Sequence, residues 1–138
     1  MHLGGNQKED LIRHVPLFAR CSKQEVKAIA QIADEIDLRE GTEMTREGSA
    51  GREFFVLLEG TAEVERGSQK VNALGAGDFF GEIALISEEP RTATVRASSP
   101  VRALVVTARS FRRLLDEQPE IRTGVMQAMA DRLAPETL

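Results

Sequence analysis

The stretch Gly77–Ser98, GDFFGEIALISEEPRTATVRAS, carries the clearest signals for both fold and site in this sequence. In it the apolar pair Phe79–Phe80 leads into Gly81, and a helix-compatible segment, Glu82–Ser87, follows. A glycine before a short helix lets a ligand approach the backbone closely and leaves first-turn N–H groups facing an anion. Arg91 then precedes a strand pattern and offers a planar fork to phosphate oxygens. The stretch therefore predicts an anion site between a short helix and a strand.

Glu82 adds a second kind of chemistry to this site. Its carboxylate is an acceptor-only group, which suits the hydroxyl donors of a sugar. Together with Arg91 it predicts a small ligand that has one phosphate and one diol. Two simpler interpretations stay open. Arg91 can pair with Glu88 or Glu89 at the surface, and a glutamate in a first helical turn is favoured by the helix dipole alone.

The composition is that of one soluble globular domain. The chain has 138 residues, 41% of them hydrophobic and 29% charged, enough for one core and too few for two domains. The net charge of −4 and the lack of a basic block argue against nucleic-acid binding. No apolar run approaches the roughly 18 residues of a membrane span. The single cysteine, Cys21, and the absence of a secretory leader favour the cytoplasm.

Periodicity divides the predicted domain, 1–138, into three regions. Residues 10–33 have a helical pattern, with a capping box formed by Ser22 and Glu25. Residues 35–107 have the pattern of short strands separated by glycines, and 77–98 is the one helical insertion among them. The helical pattern returns over 108–138. The predicted strands are Glu35–Leu38, Glu43–Thr45, Glu53–Leu58, Ala62–Arg66, Lys70–Ala73, Thr94–Ala97 and Arg102–Val106.

Many short strands with glycine turns favour an antiparallel β-roll or jelly roll, so the predicted class is α+β and mainly β. Gly67 and Ser68 suit a two-residue hairpin with a type II′ turn. In the C-terminal region, one helix is predicted to end near Glu117 and another to start at Pro119. Pro135 is predicted to end the second helix.

The two halves of the opening stretch, Phe80–Leu85 (FGEIAL) and Pro90–Val95 (PRTATV), resemble the phosphate-binding cassette of cyclic-nucleotide-binding domains. That family includes domains of protein kinase A regulatory subunits, cyclic-nucleotide-regulated channels and catabolite activator proteins. The resemblance covers nearly the whole chain, and Val15–Phe18 is similar to an element of the family's N-terminal helices. It implies a β-roll with N-terminal helices, a short cassette helix, and hinge and lid helices at the C-terminus.

The resemblance also implies roles for individual residues. Arg91 is expected to bind the cyclic phosphate, and Glu82 the ribose 2′-hydroxyl. Gly81, Ile83 and Ala84 are expected to offer backbone N–H groups. The implied ligand is cAMP or cGMP, with cAMP favoured because few groups suited to guanine are evident, and no metal or other cofactor is implied.

The base side of the site is less defined by sequence. Thr92 can reach the phosphate or a purine edge, and Val71 can line the cleft for sugar and base. Phe80 is included in the site, although its ring fits the core at least as well. The chain has six phenylalanines but no tryptophan or tyrosine. The resemblance implies another candidate, because some channel domains of the family place an arginine of the last helix over the base. Arg132 is expected to cover the base in this way by a cation–π contact, the alternative being a solvated arginine on a helix face.

Three classes of function are distinguishable. The favoured one is a regulatory sensor that binds a cyclic nucleotide and signals through its C-terminal helices. Its partner would be an effector protein, a fused effector domain or a second copy, paired through the apolar residues Val125, Met126 and Met129. The alternative is a degenerate domain that only contacts proteins. Catalysis is disfavoured because both histidines, His2 and His14, precede the strand region and cannot form a metal site there.

Overall fold

The computed structural model describes the backbone of residues 5–137 and the side chains of residues 7–131. The chain divides into two compact units, a β unit over Ala33–Arg109 and a helical unit formed by the flanking segments. The boundaries of the β unit lie close to the positions at which the sequence changes from helical to strand periodicity and back.

The β unit is a roll of two antiparallel sheets. Within the described residues its strands are β1 (Asp34–Leu38), β2 (Glu43–Thr45), β3 (Glu53–Glu59), β4 (Ala62–Arg66), β5 (Gln69–Leu74), β6 (Phe79–Phe80), β7 (Thr94–Ala97) and β8 (Val101–Thr107). One sheet has the order β1-β8-β3-β6 and the other β2-β7-β4-β5. This architecture, flanked by helices, confirms the predicted mainly β class.

The core of the roll consists of apolar side chains contributed by both sheets, most of them alanine, valine or leucine. Its buried members are Met44, Phe55, Leu57, Ala62, Val95, Ala97, Val101, Ala103 and Val105. Phe80 packs against this cluster, and its ring stacks on Phe55 with centroids 5.0 Å apart. Because Phe55 and Phe80 are register partners, the short strand β6 is held by side-chain packing as well as by backbone bonds.

Three local features of the β unit differ from the sequence prediction. The two-residue strand β6 was not predicted, since a pair of phenylalanines is too short to show a period of two. The helix predicted over Glu82–Ser87 is a 3₁₀ helix over Glu82–Leu85. The hairpin turn has positive φ at both Gly67 (56°) and Ser68 (71°), which is the signature of a type I′ turn and not of type II′.

The helical unit contains α1 (Gly5–Arg13), a 3₁₀ turn (Pro16–Phe18), α2 (Lys23–Gln31), α3 (Ala108–Glu117, which starts in the β unit) and α4 (Pro119–Thr137). The predicted capping box is confirmed. The Glu25 amide donates to the Ser22 hydroxyl at 3.2 Å, and the Ser22 amide donates to the Glu25 carboxylate at 2.6 Å. These two bonds satisfy donors that a helix start otherwise leaves open.

Apolar residues at helical spacing fill the interior of the helical unit. Phe18 and Phe111 are both buried, with ring centroids 5.8 Å apart. In α4 Ile121, Val125 and Ala128 are buried. Helix α4 continues to Thr137 and does not end at Pro135. Pro135 lies within the last turn of the helix. The backbone hydrogen bond that it removes is followed by only two more helical residues, so its loss does not end the helix earlier.

Candidate ligand-binding site

The site is built around a tight turn at the start of the 3₁₀ helix. Gly81 precedes Glu82–Leu85 with φ of 82°, a left-handed conformation that glycine adopts without cost. The amide of Ala84 donates to the Gly81 carbonyl at 3.1 Å, which closes the turn. That bond engages one of the N–H groups that the sequence assigned to a ligand. The Glu82 side chain is buried, with 6% of its surface exposed.

Arg91 is fixed at its backbone by the loop that follows β2. The Gly48 amide donates to the Arg91 carbonyl at 2.8 Å, and the Arg91 amide donates to the Ser49 carbonyl at 2.9 Å. The guanidinium donates through Nη2 to the Glu53 carbonyl at 2.5 Å. Three backbone partners therefore set the position of Arg91, so that its fork is pre-oriented.

The guanidinium retains unused hydrogen-bonding capacity. Its Nε is buried and has no hydrogen-bond partner among the described residues. Burial lowers the pKa of Arg91, and the negative charge of Glu53 offsets part of that effect. A desolvated cation with an open donor is an unfavourable arrangement until an acceptor of opposite charge reaches it. The arrangement therefore suits an anionic ligand.

Two glycines make room for the Arg91 side chain. A Cβ atom added to Gly51 would overlap Arg91 Nε, and one added to Gly81 would lie 2.6 Å from Arg91 Nη1 and 2.7 Å from the Glu53 carbonyl. Carbon atoms do not approach other heavy atoms this closely. We call the space that Gly51 and Gly81 leave for the Arg91 guanidinium the seat of Arg91. A side chain at either position would occupy part of that space.

Replacing Gly51 with alanine should displace the Arg91 guanidinium and weaken anion binding by about tenfold or more, the size of a lost charge-assisted hydrogen bond. The matched control is Gly75→Ala, because a Cβ at Gly75 meets no atom within 4 Å and neither glycine has a positive φ. Calorimetric titration of both variants with a cyclic nucleotide tests the prediction. Equal affinities for the two variants would contradict it.

Two adjoining cavities meet at Arg91. The first has a volume of about 310 Å³ and is bordered by the cassette from Phe79 to Ala84, by Ser87 and by residues 89–92. Its lining brings the Arg91 guanidinium together with two carboxylates, Glu82 and Glu89. One cavity wall therefore offers both a cation for phosphate and acceptors for hydroxyl groups.

The second cavity, of about 270 Å³, lies against the inner face of the sheet that contains β2, β7, β4 and β5. Its apolar walls include Val64, Leu74 and Val95, and its polar groups include Arg66 and Asn72. Both cavities are lined by Phe79, Phe80, Gly81, Arg91 and Thr92. A ligand with a charged end and a flat apolar end would fit across them.

The structure brings most of the predicted site residues together. The first cavity is lined by Phe80, Gly81, Glu82, Ile83, Ala84, Arg91 and Thr92. The simpler interpretation in which Arg91 pairs with Glu88 is not seen, since Glu88 pairs with Arg52 at 3.2 Å. Phe80 both packs on the core and lines the two cavities, so its two predicted roles coexist.

Val71 and Arg132 are the exceptions. Val71 lines neither cavity, and 51% of its surface is exposed. The register of β4 and β5 passes from Val64–Asn72 to Glu65–Lys70, which leaves Val71 as the extra residue of a bulge, while its neighbours Asn72 and Leu74 face the second cavity. The side chain of Arg132 lies outside the described residues.

Several contributors to the site were missed from the sequence. Gly48 and Gly51 were interpreted only as turn residues, yet one holds the Arg91 backbone and the other makes room for its side chain. Glu53 contributes through its carbonyl, which no side-chain pattern reveals. Arg66 and Asn72 were also missed, although strand alternation could have indicated them. Arg66, for example, shares a face of β4 with the core residue Ala62.

Among the residues that the structure describes, no group of three or more His, Cys, Asp or Glu side chains is placed to hold a metal ion. Over the same part of the chain, every helix is too short or too polar to cross a membrane.

Comparison of the sequence with known proteins identifies the family to which this site belongs. The sequence profile described as "Cyclic nucleotide-binding domain" matches residues 35–118. The chain is 37% identical to a cAMP-dependent protein kinase regulatory subunit of Mycosarcoma maydis, over 94% of this chain and 25% of that protein. It is 34% identical to a cyclic nucleotide-gated potassium channel of Rhizobium etli, over 88% of this chain and 34% of that protein.

A solved structure agrees with these sequence matches. The N-terminal domain of a transcriptional regulator from Streptomyces coelicolor superimposes with a TM-score of 0.84 at 28% identity, covering 93% of each chain. The present chain spans only about a quarter to a third of the curated relatives named above. With its β-roll, its cassette and the profile match over most of its length, the chain belongs to the cyclic nucleotide-binding domain family.

Proposed function

We propose that this chain is a regulatory module that binds a cyclic purine nucleotide, with cAMP as the first ligand to test. The observation that carries the proposal is the Arg91 guanidinium, which is oriented by the Glu53 carbonyl and has a buried Nε without a hydrogen-bond partner among the described residues. A cyclic phosphate carries one negative charge and two unshared oxygens. It would supply the acceptor and the opposite charge that this buried cation favours.

The ribose would lie in the first cavity, beside the carboxylates. Glu82 lines that cavity from the start of the 3₁₀ helix, and Glu89 lines it from the loop before Arg91. Carboxylate oxygens accept hydrogen bonds from sugar hydroxyls, and the nearby Arg91 limits repulsion between these acids and the phosphate. We assign the 2′-hydroxyl to Glu82, which is buried, whereas Glu89 is exposed.

The base would lie in the second cavity, between the walls formed by Val64, Leu74 and Val95. A purine is flat and largely apolar on its faces, so such walls favour its burial. Because the two cavities share Arg91 and Thr92, a nucleotide could span both without leaving the roll.

The choice of cAMP as first ligand rests on the relatives. The Mycosarcoma maydis protein is described as a cAMP-dependent protein kinase regulatory subunit, and it is similar to nearly the whole of this chain. Since the chain spans a quarter of that protein, a kinase or channel partner is not implied for it. We propose an effector protein, a fused effector domain or a second copy as the recipient of the signal.

A binding role is favoured over catalysis. Burial, with a smaller contribution from Glu25, raises the pKa of Cys21 to about 11, so its thiol stays protonated and weakly nucleophilic at neutral pH. His14 lies in the N-terminal segment, where its ring nitrogen Nδ1 is 2.6 Å from the Asp10 carbonyl, and it does not line either cavity. Hydrolysis of the 3′,5′ ring by the purified protein would contradict this part of the proposal.

We further propose that helices α3 and α4 transmit the binding signal. A ligand shifts a conformational equilibrium only if it binds the two states differently. In α4 Val125 is buried and Met126 is 60% exposed, so Met126 offers an apolar contact to a partner. Helix positions compared between free and nucleotide-bound protein test this idea, and identical positions in both states would contradict it.

The binding proposal is tested by calorimetric titration of the chain with cAMP and cGMP, with 5′-AMP as the control. We expect micromolar or tighter binding of at least one cyclic nucleotide and much weaker binding of 5′-AMP, whose doubly charged, extended phosphate lacks the ring that fits beside Arg91. The absence of binding by either cyclic nucleotide would support the alternative, a degenerate domain that contacts proteins only.

A further inference from the structure

Arg66 is an unpaired cation at the edge of the second cavity. It lies at the end of β4, on the same strand face as Ala62 and Val64, and it lines the cavity. The acidic residues on the opposite face are engaged, since Glu63 pairs with Lys70 at 3.1 Å and Glu65 with Arg96 at 3.7 Å. Among the side chains that the structure describes, none forms an ion pair with Arg66.

The charged side chains that line this cavity, Arg66 and Arg91, are both hydrogen-bond donors, and its other polar groups are neutral and partly engaged within the protein. The Thr45 hydroxyl donates to the Ala93 carbonyl at 3.0 Å and accepts from the Val95 amide at 3.1 Å. The Asn72 side-chain oxygen accepts from the Ala73 amide at 2.8 Å, which leaves its NH₂ group. The residues that line this cavity include no carboxylate, in contrast to the first cavity.

This distribution of donors distinguishes the two common purines. Guanine presents two acceptors on one edge, N7 and O6, whereas adenine presents the acceptor N7 beside the donor N6 amino group. An arginine fork can bind the guanine edge through two parallel hydrogen bonds, but it meets a donor on adenine. The acceptors that remain for the adenine amino group are neutral, namely the Thr92 hydroxyl and the second lone pairs of the Thr45 and Asn72 side-chain oxygens, so the discrimination between the bases rests on the Arg66 fork.

We infer that Arg66 is a specificity-determining residue that binds the N7–O6 edge of a 6-oxopurine, so that the chain binds cGMP at least as tightly as cAMP. The inference rests on the proposed function, because it assigns the base of the bound nucleotide to the second cavity. It goes beyond the choice of cAMP as the first ligand to test, which rests on the printed name of one relative.

The test compares cGMP, cAMP and cIMP on the wild-type chain and on Arg66→Ala by calorimetry. The cIMP base keeps N7 and O6 but lacks the guanine amino group, so it isolates the edge assigned to Arg66. We expect Arg66→Ala to weaken cGMP and cIMP binding by about tenfold or more, and cAMP binding by less than about threefold. The matched control is Arg39→Ala, which removes the same charge from an exposed site that lines neither cavity.

Each other outcome overturns the inference. Equal weakening of all three ligands by Arg66→Ala would mean that Arg66 attracts the phosphate and does not recognise the base. Unchanged cGMP and cIMP binding, or a wild-type preference for cAMP above tenfold, would exclude the contact altogether. If the wild-type chain binds none of the three nucleotides, the proposed function fails, and the inference fails with it. Unfolding temperatures of the variants, compared with wild type, show whether an altered affinity reflects altered folding.

Discussion

Replacing Arg91 with alanine is expected to weaken cyclic nucleotide binding by at least about tenfold to a hundredfold. A hydrogen bond to a charged group contributes about 1.5–3 kcal/mol, and about 1.4 kcal/mol corresponds to a factor of ten in affinity. The substitution also leaves the phosphate without a counter-charge in a partly buried site. Calorimetric titration of the variant and the wild-type chain measures the difference directly.

Arg91→Lys refines this prediction, because lysine keeps the charge but lacks the planar fork. We expect an affinity between those of the wild type and Arg91→Ala. Since the Arg91 side chain also donates to the Glu53 carbonyl, thermal unfolding of each variant must accompany the titrations. If Arg91→Ala is folded and binds the nucleotide with wild-type affinity, Arg91 does not contact the phosphate.

Replacing Gly81 with alanine is expected to abolish measurable binding and to lower the free energy of unfolding. The residue has φ of 82°, a conformation that costs a non-glycine residue about 1–2 kcal/mol. In addition, the new Cβ would lie 2.6 Å from Arg91 Nη1 and 2.7 Å from the Glu53 carbonyl, so the guanidinium or the turn must move. Titration and thermal unfolding together measure both effects.

Gly41→Ala separates backbone strain from displacement of the arginine. Gly41 has a similar φ of 89°, and a Cβ added there meets no atom within 4 Å. We expect both variants to unfold at lower temperature than the wild type, and only Gly81→Ala to lose nucleotide binding. Comparable affinities in the two variants would show that the seat around Arg91 has no role in binding.

The features that the sequence predicts correctly are those that a local pattern of residues determines. Strands β2, β4 and β7 have the predicted bounds. Glycines flank β2 and β4, and β7 is followed directly by Ser98, Ser99 and Pro100. The capping box at Ser22 and Glu25 is likewise a local motif with a fixed spacing. The cassette was recognisable because its glycine, glutamate and arginine lie within one short stretch of the chain.

Features that depend on tertiary packing could not be predicted from the sequence. The seat of Arg91 combines Gly81 with Gly51 and the carbonyl of Glu53. The last two are distant from Arg91 in sequence and are brought to it only by the fold. The bulge at Val71 likewise depends on the register of β4 against β5. A sequence indicates that a residue lies in a strand, but it does not show which residues are paired and which one forms a bulge.

The polarity of the second cavity also required the structure. Thr45, Asn72 and Arg66 are polar residues in separate strands, and the sequence does not show which of their groups are already engaged. The Thr45 hydroxyl donates to the Ala93 carbonyl, and the Asn72 side-chain oxygen accepts from the Ala73 amide. Together with the unpaired Arg66 that lines this cavity, these contacts shift the expectation about the base toward guanine, whereas the sequence favoured cAMP and left cGMP open.

The most direct test of the central claim is a crystal structure of the chain with a bound cyclic nucleotide. We expect a phosphate oxygen about 2.7–2.9 Å from Arg91 Nε, the usual length of a charge-assisted hydrogen bond, with the ribose beside Glu82 and the base against Val64 and Leu74. A nucleotide bound elsewhere, or one whose phosphate does not contact the Arg91 guanidinium, would contradict it.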